Sequence, residues 1–207
     1  MLYHVGIDLG GTNIVAGVVN ESFEIISRAK LPTARPRSAR EILFDCARAV
    51  RQAVESAGLS MDVIEAVGIG SPGTIDSDRG VIEYANNLDF YDVPAADILG
   101  ELLSRPVHAE NDANAAAYGE YLAGSAKGAK NAVCITLGTG VGGGVIIDGR
   151  IYSGFNYAGA ELGHMVIEVD GPECTCGRRG CFEVSSPATG LVRMPREAMK
   201  AHAESVM

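Results

Sequence analysis

The chain has 207 residues, 47% of them hydrophobic and 21% charged, the balance of a soluble globular protein with one large core or two small ones. Its net charge is −9 with no basic run, which argues against nucleic-acid binding through phosphate neutralisation. No apolar stretch approaches the roughly 20 residues that span a bilayer, and a strand from Tyr3 leaves no room for a signal peptide, so no membrane partner and a cytoplasmic location are expected.

Residues 3–8, 13–20 and 23–30, rich in Val and Ile, predict three strands of an antiparallel meander. Arg37 to Ala57 predicts an amphipathic helix, because Ile42, Cys46, Ala49, Val50, Ala53 and Val54 recur near helical spacing and Gly58 follows as a stop. Ile64 to Ile69 reads as a short buried strand. Ser71-Pro72-Gly73 breaks it, and a polar loop is expected to about Asp92. Pro94 to Leu103 reads as a helix with proline in its first turn. A strand Val107 to Glu110 and an alanine-rich helix Ala113 to Leu122 complete a βββαβαβα lobe.

The pattern then restarts with strands at Ala132 to Leu137, Val141 to Ile147 and Arg150 to Tyr152. Val5 matches Val133, Ile7 matches Ile135, Leu9 matches Leu137, Gly10 matches Gly138 and Val19 matches Ile147, all at one constant offset. Two glycine-rich hairpins at a domain-sized interval predict a duplicated α/β fold, with lobes over 1–126 and 127–207. Phe182 to Met199 reads as partly helical. The second lobe has fewer elements than the first, so the repeat is expected to be cut short at Met207.

A glycine turn lets a ligand approach the main chain, and two such turns can offer N–H groups to an anion from both sides of a cleft. Gly10, Gly11 and Thr12 form one candidate turn, and Gly138, Thr139 and Gly140 form the other; the alternative is a pair of plain tight turns. Asp8 closes the first strand and could hold a hydrated Mg²⁺ or remain a solvated strand end. No Gly-Lys-Ser/Thr follows either turn, so this is not a Walker loop.

Glu110-Asn111-Asp112-Ala113-Asn114 lies between a strand and a helix. Asn111 or Asp112 suits a helix N-cap. A carboxylate there could equally accept the proton of an attacking hydroxyl, with Asn111 holding a neighbouring one. Glu161, three residues before His164, and Glu183 could present acceptors to a polyhydroxylated ligand or face solvent. Asn87 in the polar loop has the same two readings.

The five cysteines are odd in number and unevenly spread, which fits a reducing compartment. Cys174, Cys176 and Cys181, with His164 ten residues upstream, suit a tetrahedral Zn²⁺ site; the alternative is three ordinary buried thiols and a solvent histidine. Cysteines one residue apart are poorly placed for a mutual disulfide. A metal there would fix residues 164–183 in place of a core.

Asp8-Leu9-Gly10-Gly11-Thr12, Glu110-Asn111-Asp112-Ala113-Asn114, Leu137 to Gly144, Gly159-Ala160-Glu161-Leu162-Gly163-His164 and the Cys174 to Glu183 motif occur in order. The chain closely resembles the ROK family (repressors, open reading frames, sugar kinases), and within it the bacterial glucokinases. The resemblance implies an actin-like ATPase (ribonuclease H-like) fold, with two lobes around a cleft and the second incomplete. It implies ATP-dependent phosphorylation of a hexose, most often glucose at the 6-hydroxyl. By position it makes Asp112 the catalytic base and gives Asn87, Asn111, Glu161, His164 and Glu183 to the sugar. Gly10, Gly11, Thr12, Thr139 and Gly140 go to ATP phosphates, Asp8 to Mg²⁺, and His164, Cys174, Cys176 and Cys181 to a structural Zn²⁺. Ser71-Pro72-Gly73 matches a loop near the sugar. The family implies a homodimer and leaves N-acetylmannosamine or another hexose as alternative substrates. A sugar-binding fragment or regulator without turnover is the rival reading.

Overall fold

The computed structural model describes residues 2–138 and 140–185. Three antiparallel strands open the chain: β1 (Tyr3–Leu9), β2 (Asn13–Val19) and β3 (Ile25–Pro32). Helix α1 (Ala39–Ser56) follows, started by a reciprocal capping box between Ser38 and Glu41. Its stop lies at Gly58, where a left-handed backbone (φ +70) favours glycine.

Strand β4 (Ile64–Ser71) pairs in parallel with β1. The segment expected to be a polar loop is instead a small antiparallel sheet: β5 (Thr74–Asp76), β6 (Val81–Ala85) and β7 (Phe90–Val93). Each strand is only three to five residues long and is separated from the next by Asp, Asn or Gly, so polar turn residues mask the pattern. Its apolar side is nevertheless buried, with Ile75 1%, Ile82 0% and Phe90 1% exposed.

Helix α2 (Ala95–Leu103), strand β8 (Val107–Asn111) and helix α3 (Asp112–Ala123) complete this half. The five-stranded sheet runs β3-β2-β1-β4-β8. Two consecutive parallel pairings, β1 with β4 and β4 with β8, bring the C-terminal ends of β1, β4 and β8 to one edge. Asp8, Ser71 and Asn111 lie at those ends.

Three further strands, β9 (Ala132–Leu137), β10 (Val141–Ile147) and β11 (Arg150–Ile151), form a separate antiparallel sheet in the order β11-β10-β9. The hairpin does recur, with a difference in its turn. Leu9 pairs with Ile14, whereas Leu137 pairs with Val141, so the second turn is one residue shorter. By register the counterpart of Val18, facing Val5, is Val145, facing Val133. The matching of Val19 with Ile147 is therefore off by one on the return strand.

The environments of the two hairpins also differ. Val5, Ile7 and Leu9 are 1%, 3% and 0% exposed, while Val133, Ile135 and Leu137 are 64%, 51% and 66% exposed. Helix α4 covers Phe182–Ser185. The rest of the helix expected to Met199 lies outside the described residues. Among the described residues no helix is long and apolar enough to cross a membrane.

The glycine run of β10 sets how closely α3 lies on the second sheet. A β-carbon at Gly144 would stand 2.4 Å from the Ala117 β-carbon, and one at Gly142 would stand 2.9 Å from that of Ala113. Both contacts are with the buried face of the helix that begins at Asp112. Gly144→Ala is expected to push α3 away and cost about 1–3 kcal/mol, read as a lower urea midpoint with an unchanged slope.

Candidate functional site

One open cleft of about 1010 Å³ runs between the two hairpins. Gly10, Gly11, Asn87, Asn111, Asp112, Gly140, Glu161, His164 and Glu183 all line it, so residues chosen from separate motifs meet on one surface. Thr12 and Asp8 are not on its lining. Thr139 lies outside the described residues. No lysine or arginine lines the cleft among the described residues.

The first glycine turn is held by its carbonyls. Thr33 Oγ1 donates to the Gly10 carbonyl at 2.7 Å, Arg35 Nε to the Gly11 carbonyl at 2.7 Å, and the Thr33 amide to the Thr12 carbonyl at 2.9 Å. Gly10 N–H closes the turn onto the Asn13 carbonyl at 2.9 Å. With the acceptors tied back, the N–H groups of Gly11 and Thr12 have no partner among the described residues. Unpartnered amides in a turn of this kind can serve as a small anion cradle. Thr33 and Arg35 carry no local motif, and only the folded chain brings them to residues 10–12.

In the second turn, Gly138 N–H donates to the Gly140 carbonyl at 3.0 Å. The Glu183 carboxylate accepts from Val141 N–H at 3.1 Å, and a β-carbon at Gly140 would stand 2.3 Å from its Oε2. Position 140 therefore has no room for a side chain while Glu183 holds this place. Glu183 touches the turn and faces the cleft at once.

Asn111 caps α3: its Oδ1 accepts from Ala113 N–H at 2.9 Å and Asn114 N–H at 3.1 Å. Its Nδ2 donates to the Gly73 carbonyl at 3.0 Å, so the Ser71-Pro72-Gly73 bend is bonded to the cap. Gly73 has φ +98, and a β-carbon there would stand 2.0 Å from the Tyr84 carbonyl oxygen. Asp112 is the first helical residue, where the macrodipole favours a carboxylate.

Burial pushes the Asp112 carboxyl above its ordinary range. The Ala113 amide opposes the rise, and the Asp8 carboxylate adds to it. Partial burial raises Asp8 as well, although its side chain still reaches solvent. Glu161 is raised by burial; His164 opposes this, while Asp112 and Glu183 add to it. Such a site favours an incoming cation or hydroxyl donors, and carboxyls shifted this way mark functional sites.

Glu161 precedes a 3-10 turn over Leu162–His164, and the His164 amide donates to the Glu161 carbonyl at 3.1 Å. His164 Nδ1 lies 3.7 Å from Cys174 Sγ, and Cys176 Sγ lies 3.6 Å from Cys181 Sγ. The four ligand atoms all fall within 4.8 Å of one another. Zn–S bonds of about 2.3 Å and Zn–N bonds of about 2.0–2.1 Å in a tetrahedron put neighbouring donors about 3.5–3.8 Å apart. The cluster fits that ion with little movement. Hydrogen bonding from the Arg178 amide brings the Cys176 thiol down to about 6. Use of Nδ1 by a metal leaves Nε2 of His164 to meet a ligand.

A family model described as ROK family matches residues 4–205. The glucokinase of Streptomyces coelicolor is 40% identical over 200 residues, which cover 97% of this chain and 61% of its own. The xylose repressor of Bacillus subtilis is 32% identical over 194 residues, covering 92% of this chain and 49% of its own. Among solved structures, a ROK family glucokinase from Streptomyces griseus, in complex with glucose and AMPPNP, superposes with a TM-score of 0.83. It is 40% identical, and the match covers 98% of this chain and 62% of that one. The chain thus spans 61–62% of the length of these glucokinases. The actin-like α/β fold, two lobes about a cleft, is the one it shares with them.

Proposed function

The chain belongs to the ROK family, and from that premise we propose that it carries the sugar site and the phosphate cradles of an ATP-dependent hexose kinase acting on glucose. One observation carries the reading: Asp112 and both glycine turns line the same cleft. A carboxylate beside one substrate and main-chain N–H groups beside the other are what phosphoryl transfer needs.

Asp112 accepts the proton of the 6-hydroxyl and orients that oxygen toward the nucleotide tail. Its place at the start of α3 keeps the carboxylate available while the Asn111 cap fixes the backbone beneath it. Asn111, Glu161, His164, Glu183 and Asn87 hold the other hydroxyls. The Gly11 amide, on the cleft wall, the neighbouring Thr12 amide at its rim and the turn at Gly138 to Gly140 are the donors offered to the phosphates. Mg²⁺, held near Asp8, supplies charge neutralisation on the phosphates when bound. His164, Cys174, Cys176 and Cys181 hold Zn²⁺ as a structural ion, which fixes the turn that presents Glu161 and the His164 ring.

A sugar-responsive binding protein without turnover is the second reading, and likeness to the xylose repressor supports it. Glucose-dependent release of ADP from ATP by the 207-residue chain, followed across a panel including mannose and N-acetylmannosamine, separates the two. Release that is fastest with glucose is the expected result. Bound glucose with no release favours the second reading, and faster release with another hexose reassigns the substrate.

A further inference from the structure

The cleft receives a polyanionic nucleotide by this reading, yet among the described residues no lysine or arginine lines it. Arg35 is the cation bonded to its first glycine turn. Arg35 Nε donates to the Gly11 carbonyl at 2.7 Å, and Nη1 donates to the Asn87 carbonyl. A β-carbon at Gly11 would lie 3.5 Å from Arg35 Nη2 and 3.7 Å from Asn87 Nδ2, so turn, guanidinium and Asn87 side chain meet at one point. Among the described residues no other hydrogen bond joins residues 10–12 to residues 86–89. Among the described residues the Asn86–Asn87 bend is otherwise held only within its own sheet, by Leu88 N–H to the Ala85 carbonyl, Asp89 N–H to the Asn86 carbonyl and the Tyr84 hydroxyl to Asn86 Oδ1.

We propose that Arg35 is a positioning residue that clamps the Gly10–Thr12 turn to the Asn86–Asn87 bend, and so couples nucleotide binding to sugar binding; the coupling rests on the kinase reading above. The planar guanidinium presents two donors at a fixed separation, so it holds two carbonyls in register as a flexible ammonium cannot. A sugar that orders Asn87 thereby presets the turn for phosphates, and by linkage a nucleotide presets Asn87 for sugar. Because Arg35 acts through a carbonyl of the turn, it leaves the unpartnered amides of Gly11 and Thr12 to the ligand.

The test uses the 207-residue chain with glucose and Mg-AMPPNP as probes, calorimetry for affinity and amide hydrogen exchange for order. In the wild type, Mg-AMPPNP is expected to tighten glucose at least about fivefold. Arg35→Gln should abolish the tightening and speed exchange in residues 10–13 and 86–89 together by about tenfold without ligand, the loss of a charge-assisted hydrogen bond. Arg35→Lys keeps the charge and should fail to restore either property. Unchanged exchange in Arg35→Gln overturns the clamp, and full rescue by Arg35→Lys overturns the two-pronged geometry. A wild type that binds both probes without mutual tightening overturns the coupling. A wild type that binds neither probe, with exchange responding as stated, overturns the kinase reading and leaves the clamp standing.

Discussion

Asp112→Asn is expected to slow phosphoryl transfer to glucose by about 10²–10⁴-fold, the range for loss of a positioned general base, while glucose affinity stays within a few-fold. Steady-state rates read beside calorimetric binding separate the two effects. The same variant should melt at a higher temperature at neutral pH, for an electrostatic reason. In the unfolded chain this carboxyl ionises in its ordinary range; in the cleft burial and Asp8 raise it. Between those two values the native state holds more protons than the unfolded one, so stability falls as pH rises through the window. Amide replacement removes that cost. For the rate the sign is the opposite: the base works ionised, so turnover falls as pH drops through the raised value. Asp8→Asn should shift that acid limb to lower pH. An Asp112→Asn variant with wild-type turnover removes the residue from the chemistry.

The second large effect belongs to the thiolate cluster. Freshly purified, reduced protein is expected to contain one zinc per chain by elemental analysis. Stripping it, or making Cys181→Ser, should lower the melting temperature by about 10 °C or more, since metal-binding energy in such sites is folding energy. The reason is visible along the backbone. Between the turn at Leu162–His164 and the start of α4 there is no helix or strand ladder among the described residues; two isolated bridges, Val166 with Cys181 and Glu173 with Arg179, turn hydrogen bonds such as Cys174 N–H to the Arg178 carbonyl at 2.8 Å, and the Arg179–Glu173 ion pair hold it. The metal would tie both ends of this stretch together. Glucose affinity should fall with zinc content, because Glu161 and His164 share the turn at one end and Glu183 follows Cys181 at the other. Zinc-free protein that binds glucose normally and melts unchanged refutes the structural role.

Much of this was legible in the chain. The β1 and β2 hairpin, α1 and the β9 and β10 hairpin announced themselves through regular apolar spacing, and Asn111 through the residue types that suit a cap. The cysteine spacing identified four side chains that do come together. What stayed hidden depends on contacts between distant segments. The β5–β7 sheet is built of strands too short to show a period, and its order comes from burial of Ile75, Ile82 and Phe90. The roles of Thr33 and Arg35 arise only when the end of β3 folds against residues 10–12. The register slip between hairpins was invisible because a shorter turn moves the return strand without changing its composition.

The unpartnered amides of Gly11 and Thr12 belong to the peptide chain itself. Point replacement cannot delete a main-chain donor unless the newcomer is proline, so ordinary drift leaves these donors in place. The side chains lining the cleft enjoy no such immunity. Chains built on this scaffold can therefore change what the cleft's side chains recognise while keeping the main-chain donors of this turn.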